Sequence, residues 1–390
     1  MDRTHIRYIF IYTFSYMAIG SMMPLIGRYL AQEGFTGAQI GTVTAAGTLV
    51  AIFASAFWGG VFDRCQNGRK VVRTLCICAA AIALGLSTVH IYGIFLIIYA
   101  VMYFFQAPVM GLVDAMCLED GKALGSARMW GAVGYALGVF ISGRIAGAVD
   151  LRVIFFMYAA SYILSAVFTA SMKKEQNVLI DECEAQIVEI ASEEKTGFGA
   201  LLHNKKYLKL IAAVFFVGGT NVANNTYFTF LYSDCGGSMA GMAAAMLLMV
   251  GSEAPFMAWS KKLSDRFTLE KMILAGMIIS VIRYSWYATC PPAAAITALF
   301  FLQGMVNGIV LVEVIRYIGK VVPAGLTGLA VSGYYAISSN ASTIVCQMIG
   351  GVILDNWGGG GVYMFFALYN LIGVILYIGF GLHKRAEQRE

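Results

Sequence analysis

The sequence predicts an all-α integral membrane protein, with about twelve transmembrane helices arranged as two pseudo-symmetric six-helix bundles. Of the 390 residues, 59% are hydrophobic and only 13% are charged, whereas soluble domains carry roughly 25% charged residues. Apolar runs of roughly 20 residues recur along the chain, which is the length of a membrane-spanning helix, and barrel strands would instead alternate over about ten positions. One polar stretch divides these runs into two sets of six.

Each apolar run is interpreted as one membrane helix. In the first bundle, residues 1–172, the runs lie at about 6–30, 37–62, 71–90, 92–117, 127–148 and 153–172. In the second bundle, residues 207–390, they lie at about 207–232, 237–260, 270–290, 293–319, 326–354 and 360–382. Residues 173–206 are too polar to enter a bilayer, and we expect them to form a cytoplasmic linker with a surface helix near 180–193.

Basic residues concentrate in the loops on one side of the predicted bundles, and the opposite loops carry few, chiefly Arg28 and Arg152. Because cytoplasmic loops are enriched in lysine and arginine, both termini and the linker are expected in the cytoplasm. The same loops account for the net charge of +5, so no nucleic-acid partner is expected. The basic residues on this side are Arg3, Arg7, Arg64, Arg69, Lys70, Arg73, Lys173, Lys174, Lys261, Lys262, Arg266, Lys271, Lys384, Arg385 and Arg389.

The spacing of cysteine and histidine does not match a metal site. The eight cysteines are scattered and are interpreted as small core residues or free thiols, and the four histidines lie near predicted helix ends. We therefore expect no metal and no cofactor, and we expect a carboxylate to carry protons within the membrane. No nucleophile, base and orienting group occur at a recognisable spacing, and no nucleotide-binding loop is present, so the sequence predicts that the protein is not an enzyme.

The first short loop on the basic side contains Gly59-Gly60-Val61-Phe62-Asp63-Arg64-Cys65-Gln66-Asn67-Gly68-Arg69-Lys70. It resembles the Gly-x-x-x-Asp-Arg-x-Gly-Arg-Lys signature of the major facilitator superfamily, with two extra residues before the second glycine. A weaker copy, Asp265-Arg266, lies at the corresponding point of the second bundle. The resemblance covers nearly the whole chain and implies a transporter that works by alternating access. It also implies a conformational latch formed by Gly59, Asp63, Arg64, Gly68, Arg69, Asp265 and Arg266.

The fifth apolar run begins with Arg128, followed by glycines at 131, 134 and 138 whose spacing lets another helix pack closely. The stretch from Ala127 to Leu137 resembles the fifth helix of the lactose permease group of the superfamily, which includes nucleoside and phenylpropionate permeases. In lactose permease itself the matching arginine binds sugar hydroxyls, and the position of Tyr135 holds a tryptophan that stacks on the sugar ring. The resemblance implies that Arg128 and Tyr135 face a central cavity. A snorkelling arginine and a packing tyrosine are the alternatives.

Amide side chains in the second bundle offer further contacts to a hydroxylated ligand. Asn221, Asn224 and Asn225 form one face of the seventh helix, and amides there either bind hydroxyl groups or hold helices together. By the resemblance, Asn221 and Asn224 stand where lactose permease has two aspartates. Gln303 and Val306 stand where lactose permease has a histidine and a proton-carrying glutamate, so the resemblance implies that the proton role lies elsewhere in this chain.

The proton carrier is therefore expected at another carboxylate. Glu253 lies more than two turns from the cytoplasmic end of the eighth run, and a carboxyl group removed from water is easier to protonate. Asp114, which is expected to pair with Arg128, and Glu313 are the other candidates, and Arg283 is a candidate countercharge. Glu313 has a second interpretation as the partner of the arginine three residues later in a local ion pair.

The first helix carries Tyr8, Tyr12 and Tyr16 at a spacing of four, which places them in one aromatic stripe. Such a stripe is more often packing than binding. In a helix that lines a cavity, Tyr16 is the member that we expect to stack on substrate.

Together these features predict a secondary active transporter that takes up a small hydroxylated solute, such as a sugar, oligosaccharide or nucleoside, by proton-coupled symport. An importer of aromatic carboxylates is an alternative because the arginines could hold a carboxylate, and a proton-driven multidrug exporter would share the fold. A membrane sensor would need neither a mobile latch nor buried carboxylates. We expect a monomer in a bacterial inner membrane, with its solute, protons and membrane lipid as partners.

Overall fold

The structure is a computed structural model, in which residues 3–65, 67–122, 124–172, 201–323 and 326–384 are described. Every regular element in these ranges is a helix, which confirms the predicted all-α class. Most of the expected linker, including its surface helix near 180–193, falls on residues 173–200 and lies outside the described residues. The predicted domain boundaries therefore stay predictions.

Six helices form the first bundle, and two of them contain a proline break. α1 has a turn at residues 23–25, which include Pro24, and α4 has a turn at residues 107–108, which include Pro108. Proline lacks the amide hydrogen that continues a helix, so both breaks follow from the sequence. The helices are α1 Arg3–Gln32, α2 Gly37–Arg64, α3 Gly68–Leu86, α4 Tyr92–Glu119, α5 Leu124–Ala148 and α6 Val153–Ala170.

The second bundle repeats this arrangement. Its helices are α7 Lys205–Asp234, α8 Met239–Phe267, α9 Leu269–Ala288, α10 Ala293–Val321 with a break at Phe300, α11 from Thr327 to residue 357, and α12 over residues 359–379. α11 is π-helical over Tyr335–Ala341. Gly358 separates α11 from α12 with a φ of 62°, a left-handed conformation that glycine adopts without steric cost.

The described residues form twelve helices of membrane-spanning length, in agreement with the predicted number. Nine helical stretches of the described chain are long and apolar enough to cross a membrane, and the last of them, Thr327–Gly379, contains two helices separated at Gly358. α3 and α9, with 19 and 20 residues, complete the set. Both begin with charged residues, Arg69 and Lys70 in α3 and Glu270 and Lys271 in α9, which lower their apolar character.

The predicted close approach to α5 is made by α1. A Cβ atom added at Gly134 would collide with the backbone of Thr13, and one added at Gly138 would collide with the backbone of Met17. Gly131 lies in the same way against a tyrosine ring of α1. Because only glycine leaves room for these contacts, the spacing of three and four residues fixes how α1 crosses α5.

The ends of the molecule differ in chemistry. At one end, Cys235 at the end of α7 and Cys290 after α9 form a disulfide, with their Cα atoms 5.3 Å apart. The interpretation of the cysteines as core residues or free thiols is therefore wrong for this pair, because two helix ends distant in sequence meet here. We call this the disulfide end, and we call the opposite end, which carries Arg64 and Arg69, the basic end.

The two bundles touch towards the disulfide end. The backbone amides of Gly37 and Ala38 in α2 donate hydrogen bonds to Asp355 of α11, and Gly143 of α5 lies against Ala243 of α8. Towards the basic end of α2, by contrast, a Cβ atom added at Gly59 would meet none of the described atoms within 4 Å. Because the named contacts between the bundles lie towards the disulfide end, we interpret this conformation as open at the basic end.

Candidate functional site

A charged and aromatic cluster lies where α1, α4 and α5 meet. Nη1 of Arg128 donates a hydrogen bond to Oδ2 of Asp114 at 2.9 Å, and the hydroxyl of Tyr12 donates one to Oδ1 at 2.5 Å. The predicted pairing of Arg128 with Asp114 is confirmed. Tyr16 lies within hydrogen-bonding reach of Arg128. The cluster therefore presents a positive donor, a carboxylate and two phenol rings together.

The local sequence explains this geometry. The break at Pro108 begins the second segment of α4, Val109–Glu119, and Asp114 lies within that segment. Gly131 of α5 packs on the ring of Tyr16, which brings α1 close to Arg128. About half of the Arg128 side chain, 53%, remains exposed, so the cation is accessible to a ligand although its carboxylate partner is largely covered.

Tyr135 and Glu253 lie in different bundles. Tyr135 lies two turns further along α5 than Arg128, and its hydroxyl is within electrostatic reach of Glu253 in α8. Glu253 is half-buried, and within the described part of the chain it has no hydrogen bond or ion pair. A carboxylate without a partner in this position is free to exchange a proton or to bind a ligand group.

A group of amides lines the corresponding part of the second bundle. Nε2 of Gln303 lies 3.4 Å from Oδ1 of Asn221 and 3.1 Å from Oδ1 of Asn307. The hydroxyl of Tyr284 also reaches Oδ1 of Asn221 at 3.4 Å. These contacts join α7, α9 and α10, and they bring together Asn221 and Gln303, which the sequence singled out separately.

The other two asparagines of α7 differ from each other. Asn224 is fully buried and accepts a hydrogen bond from Tyr363 of α12 at 2.6 Å, a contact that holds two helices together. Asn225 is only half-buried. The contact of Asn224 matches the alternative interpretation as a helix-packing amide, and substrate binding by Asn224 and Asn225 stays a prediction.

Arg283 of α9 does not contact its expected countercharge. Only 3% of the residue is exposed, and its guanidinium group lies over the rings of Tyr284, at 4.4 Å, and Tyr287, at 5.8 Å. Among the described residues, none accepts a hydrogen bond from its three nitrogens. In this conformation Arg283 forms no ion pair with Glu253, because the cation lies among tyrosine rings instead, and its role as a countercharge stays a prediction.

Glu313 lies far from the amide group, near the basic end of α10. It is fully buried, and Nη1 of Arg316 donates a hydrogen bond to it at 2.8 Å. This local ion pair agrees with the second interpretation of Glu313. Its role in proton coupling stays a prediction.

The residues of the predicted latch are mostly disengaged. Asp63 and Arg64 are exposed, and Gly59 faces open space. Arg69 binds Asp120 at the end of α4, at 2.8 Å, and Gly68 packs against the ring of Phe62. These contacts stay within the first bundle, as expected when the basic ends of the bundles are apart.

The second copy of the signature gives less information. The guanidinium group of Arg266 lies 5.5 Å from the ring of Phe267, and the side chain of Asp265 lies outside the described part of the structure. The function of both copies as a latch stays a prediction.

Two residues near the cluster were not among the predicted site residues. Tyr12, the middle member of the α1 stripe, binds Asp114 directly, and only its spacing from Tyr16 could have indicated this. Tyr335 begins the π-helical part of α11, is 42% exposed and lies within electrostatic reach of Arg128 from the other bundle. A π-helical turn has no reliable sequence signature, although such turns are frequent at functional sites.

Comparison with known proteins identifies the family. The sequence model of the MFS_1 like family matches residues 5–366. The chain belongs to the MFS_1 like family. It is therefore a membrane transporter of the major facilitator fold and not an enzyme.

Three relatives of this MFS_1 like protein match over nearly its whole length. A maltose permease of Geobacillus stearothermophilus is 26% identical, covering 97% of this chain and 95% of the relative. An uncharacterized transporter, YwbF of Bacillus subtilis, is 28% identical, covering 95% and 90%. The multidrug resistance protein MdtG of Klebsiella pneumoniae is 25% identical, covering 92% and 90%.

Two solved structures share the fold. A point mutant of the nucleoside transporter NupG superposes with a TM-score of 0.85 at 15% identity, covering 98% of this chain and all of NupG. A D-xylose-proton symporter superposes with a TM-score of 0.73 at 12% identity, covering 99% and 97%. At these identities the likeness concerns the fold alone.

Proposed function

We propose that the chain is a proton-coupled symporter that imports a small hydroxylated solute, with a sugar or oligosaccharide as the first candidate and a nucleoside as the second. The observation that carries this proposal is the pair of Arg128 and Asp114, which is accessible from the space between the bundles. Hydroxyl groups both donate and accept hydrogen bonds, so a guanidinium donor beside a carboxylate acceptor suits them. The likeness to a maltose permease supports a sugar, and the nucleoside transporter NupG shows that the same fold can serve nucleosides.

The proposed binding site divides between the two bundles. On the first bundle, Arg128 and Asp114 hold hydroxyl groups while an aromatic ring stacks on the sugar or base. On the second bundle, amides add neutral donors and acceptors when the bundles approach. Closure around the solute then requires both sets of contacts. The residues proposed to bind substrate are Arg128, Tyr135, Tyr16, Asn221, Asn224, Asn225 and Gln303.

Glu253 is the proposed proton carrier. It lies within electrostatic reach of Tyr135 in the first bundle and has no ion-pair partner among the described residues, so its charge opposes closure of a dry interface around it. Protonation would remove that charge, and bound substrate would complete the site. Movement of the bundles would then release both on the other side. Asp114 and Glu313 are the second and third candidates for the proton carrier, because both are already held in ion pairs. Arg283 is proposed as the positive charge that Glu253 meets in another conformation.

The proposed orientation places the basic end and both termini in the cytoplasm of a bacterial cell, with the disulfide end outside. Lysine and arginine are enriched in cytoplasmic loops, and disulfides form in oxidising compartments outside the cytoplasm. The basic end and the disulfide end therefore indicate the same orientation. The proposed domains are residues 1–172 and 207–390, joined by a cytoplasmic linker over 173–206. We propose a monomer surrounded by membrane lipid.

A proton-driven multidrug exporter is the second candidate, and the likeness to MdtG favours it. Such a protein would share the fold and a proton-carrying glutamate. Its cavity would need apolar walls for varied drugs, whereas the walls here carry a paired arginine and a group of amides. An importer of aromatic carboxylates would use Arg128 or Arg283 to bind the acid group.

The deciding experiment uses purified protein in proteoliposomes with an imposed inward proton gradient. Labelled disaccharides, nucleosides and aromatic acids are offered in turn, and accumulation is measured with and without the gradient. Gradient-stimulated accumulation of a sugar or nucleoside that disappears in Glu253→Gln supports the proposal. Expulsion of a lipophilic cation without uptake of any of these solutes would replace it with the exporter.

A further inference from the structure

At the disulfide end, a carboxylate of the second bundle caps the N-terminus of a helix of the first bundle. Asp355, near the end of α11, accepts a hydrogen bond through Oδ1 from the amide of Gly37 at 2.5 Å and through Oδ2 from the amide of Ala38 at 2.9 Å. These amides belong to the first turn of α2, where backbone donors have no partner within the helix. The positive end of the helix dipole also lies there and favours a negative charge.

The backbones must come very close for this contact to form. A Cβ atom added at Gly37 would collide with the carbonyl oxygen of Gly351, and one added at Gly351 would collide with the carbonyl oxygen of Gly37. Gly41 lies equally close to the backbone of Gln347, one turn deeper. Glycines on both helices therefore let α2 and α11 touch over this end, with the carboxylate of Asp355 at the rim.

Other hydrogen bonds between the bundles are few. Within the described ranges, the remaining one joins Thr48 to Gln347 at 3.3 Å and involves two neutral groups. The two hydrogen bonds of Asp355 are thus the charge-assisted ones found between the bundles in the described ranges, and such bonds are roughly twice as strong as neutral ones. Because Asp355 stays exposed, it keeps much of its hydration and can make or lose this contact at little desolvation cost.

We propose that Asp355 is a lock that holds the disulfide ends of the two bundles together by capping the first turn of α2. The lock stabilises the conformation that is open at the basic end, and it must break when the disulfide end opens. It requires that the bundles move relative to one another, but it does not depend on whether the transported solute is a sugar. A measurement of bundle separation therefore tests it independently of transport.

The chain provides a matched control for this lock. Asp234, at the end of α7, accepts a hydrogen bond from the amide of Gly359 at 2.8 Å and so caps the start of α12. It lies at the same end of the molecule and uses the same chemistry, but both partners belong to the second bundle. Loss of this cap should weaken that bundle without changing the distance between bundles.

The test is a distance measurement between spin labels in lipid nanodiscs. The labels are placed at Ile91→Cys in the first bundle and Trp357→Cys in the second, both at exposed side chains, after the cysteines outside the disulfide are replaced by alanine. Double electron–electron resonance then gives the ratio of open to closed disulfide ends. We expect Asp355→Ala to raise this ratio by roughly tenfold or more and Asp355→Asn to raise it less. Asp234→Asn is expected to leave it unchanged and to lower only the melting temperature.

Two results would overturn the lock. One is a distance distribution in Asp355→Ala that is the same as in the unmodified protein. The other is an equal shift in Asp234→Asn, because the effect would then come from any lost helix cap at this end. Gly37→Ala gives an independent route, since its methyl group would push α11 away without removing the carboxylate. A shift towards the open form in this variant is expected as well, and its absence also counts against the lock.

Discussion

Arg128 and Tyr12 donate hydrogen bonds to the two different oxygens of Asp114, so one carboxylate orients a cation of α5 and a phenol of α1. The glycines of α5 make these two hydrogen bonds possible, because they allow α1 and α5 to pack closely. The pair therefore acts as a preformed unit on one wall of the opening between the bundles. A ligand that binds Arg128 meets a guanidinium group whose position is already restricted, which lowers the entropic cost of binding.

The first prediction concerns this unit. Tyr12→Phe removes one hydrogen bond to Asp114 while keeping the ring, and we expect KM for the transported solute to rise about three- to tenfold, as for the loss of roughly 1 kcal/mol. Asp114→Asn also breaks the pair with Arg128, so uptake should fall by more than about tenfold, because hydrogen bonds to charged groups contribute more. Initial rates of uptake over a range of solute concentrations measure both effects.

Tyr8→Phe is the matched control for that prediction. Tyr8 lies one turn earlier on α1 and donates a hydrogen bond to Asp120 at 2.7 Å, in the cluster with Arg69 at the basic end. Loss of that bond should leave KM unchanged. An equal rise in KM for Tyr8→Phe and Tyr12→Phe would mean that both act through the stability of α1 rather than through Asp114.

The second prediction concerns Glu253. Glu253→Gln keeps the shape of the side chain but removes the ionisable group, so we expect gradient-driven accumulation to disappear. Exchange of labelled for unlabelled solute across the membrane should persist, because it needs no net proton movement. Proteoliposomes loaded with unlabelled solute measure exchange, and the same vesicles with a proton gradient measure accumulation.

Glu313→Gln serves as the comparison for Glu253→Gln. Glu313 already pairs with Arg316, and we expect its replacement to lower thermal stability and to leave accumulation coupled to protons. The reverse pattern, with accumulation lost in Glu313→Gln and kept in Glu253→Gln, would move the proton role to α10.

The third prediction concerns the contact of α1 with α5. Gly134→Ala places a methyl group against the backbone of Thr13, and overpacking of this kind costs about 1–3 kcal/mol. We expect a clear fall in the melting temperature of the purified protein. Gly85→Ala in α3 is the control, because its new methyl group would meet no atom within 4 Å, and alanine favours the helix. Equal melting temperatures for the two variants would contradict the tight crossing.

The sequence predicted the features that depend on local pattern. Apolar runs of membrane-spanning length indicated the twelve helices, and the glycine spacing in α5 indicated a tight crossing, although not the identity of its partner. The pairing of Arg128 with Asp114 was also predictable, because two ionisable groups inside a membrane protein need each other and a short hairpin joins their helices.

Features that join distant parts of the chain were not predictable in this way. The Cys235–Cys290 disulfide connects positions 55 residues apart, and cysteine connectivity cannot be read from spacing. Asp355 looks like an ordinary loop residue until the fold brings it to the start of α2. Arg283 was expected to meet a carboxylate, but in this conformation it lies over the rings of Tyr284 and Tyr287, a packing arrangement that no local pattern indicated.

The last prediction follows from the surroundings of Arg283. Removal of a buried charge that has no ion-pair partner among the described residues should stabilise this conformation, so Arg283→Met is expected to raise the free energy of unfolding by about 1 kcal/mol or more. Transport should nevertheless fall, because the proposed mechanism needs Arg283 as the charge that Glu253 meets in another conformation. Arg316→Met is the control: it leaves the fully buried Glu313 without this partner and should lower stability. Thermal unfolding and uptake are measured on the same preparations. A less stable Arg283→Met protein with normal uptake would show that the guanidinium group serves only to pack against Tyr284 and Tyr287.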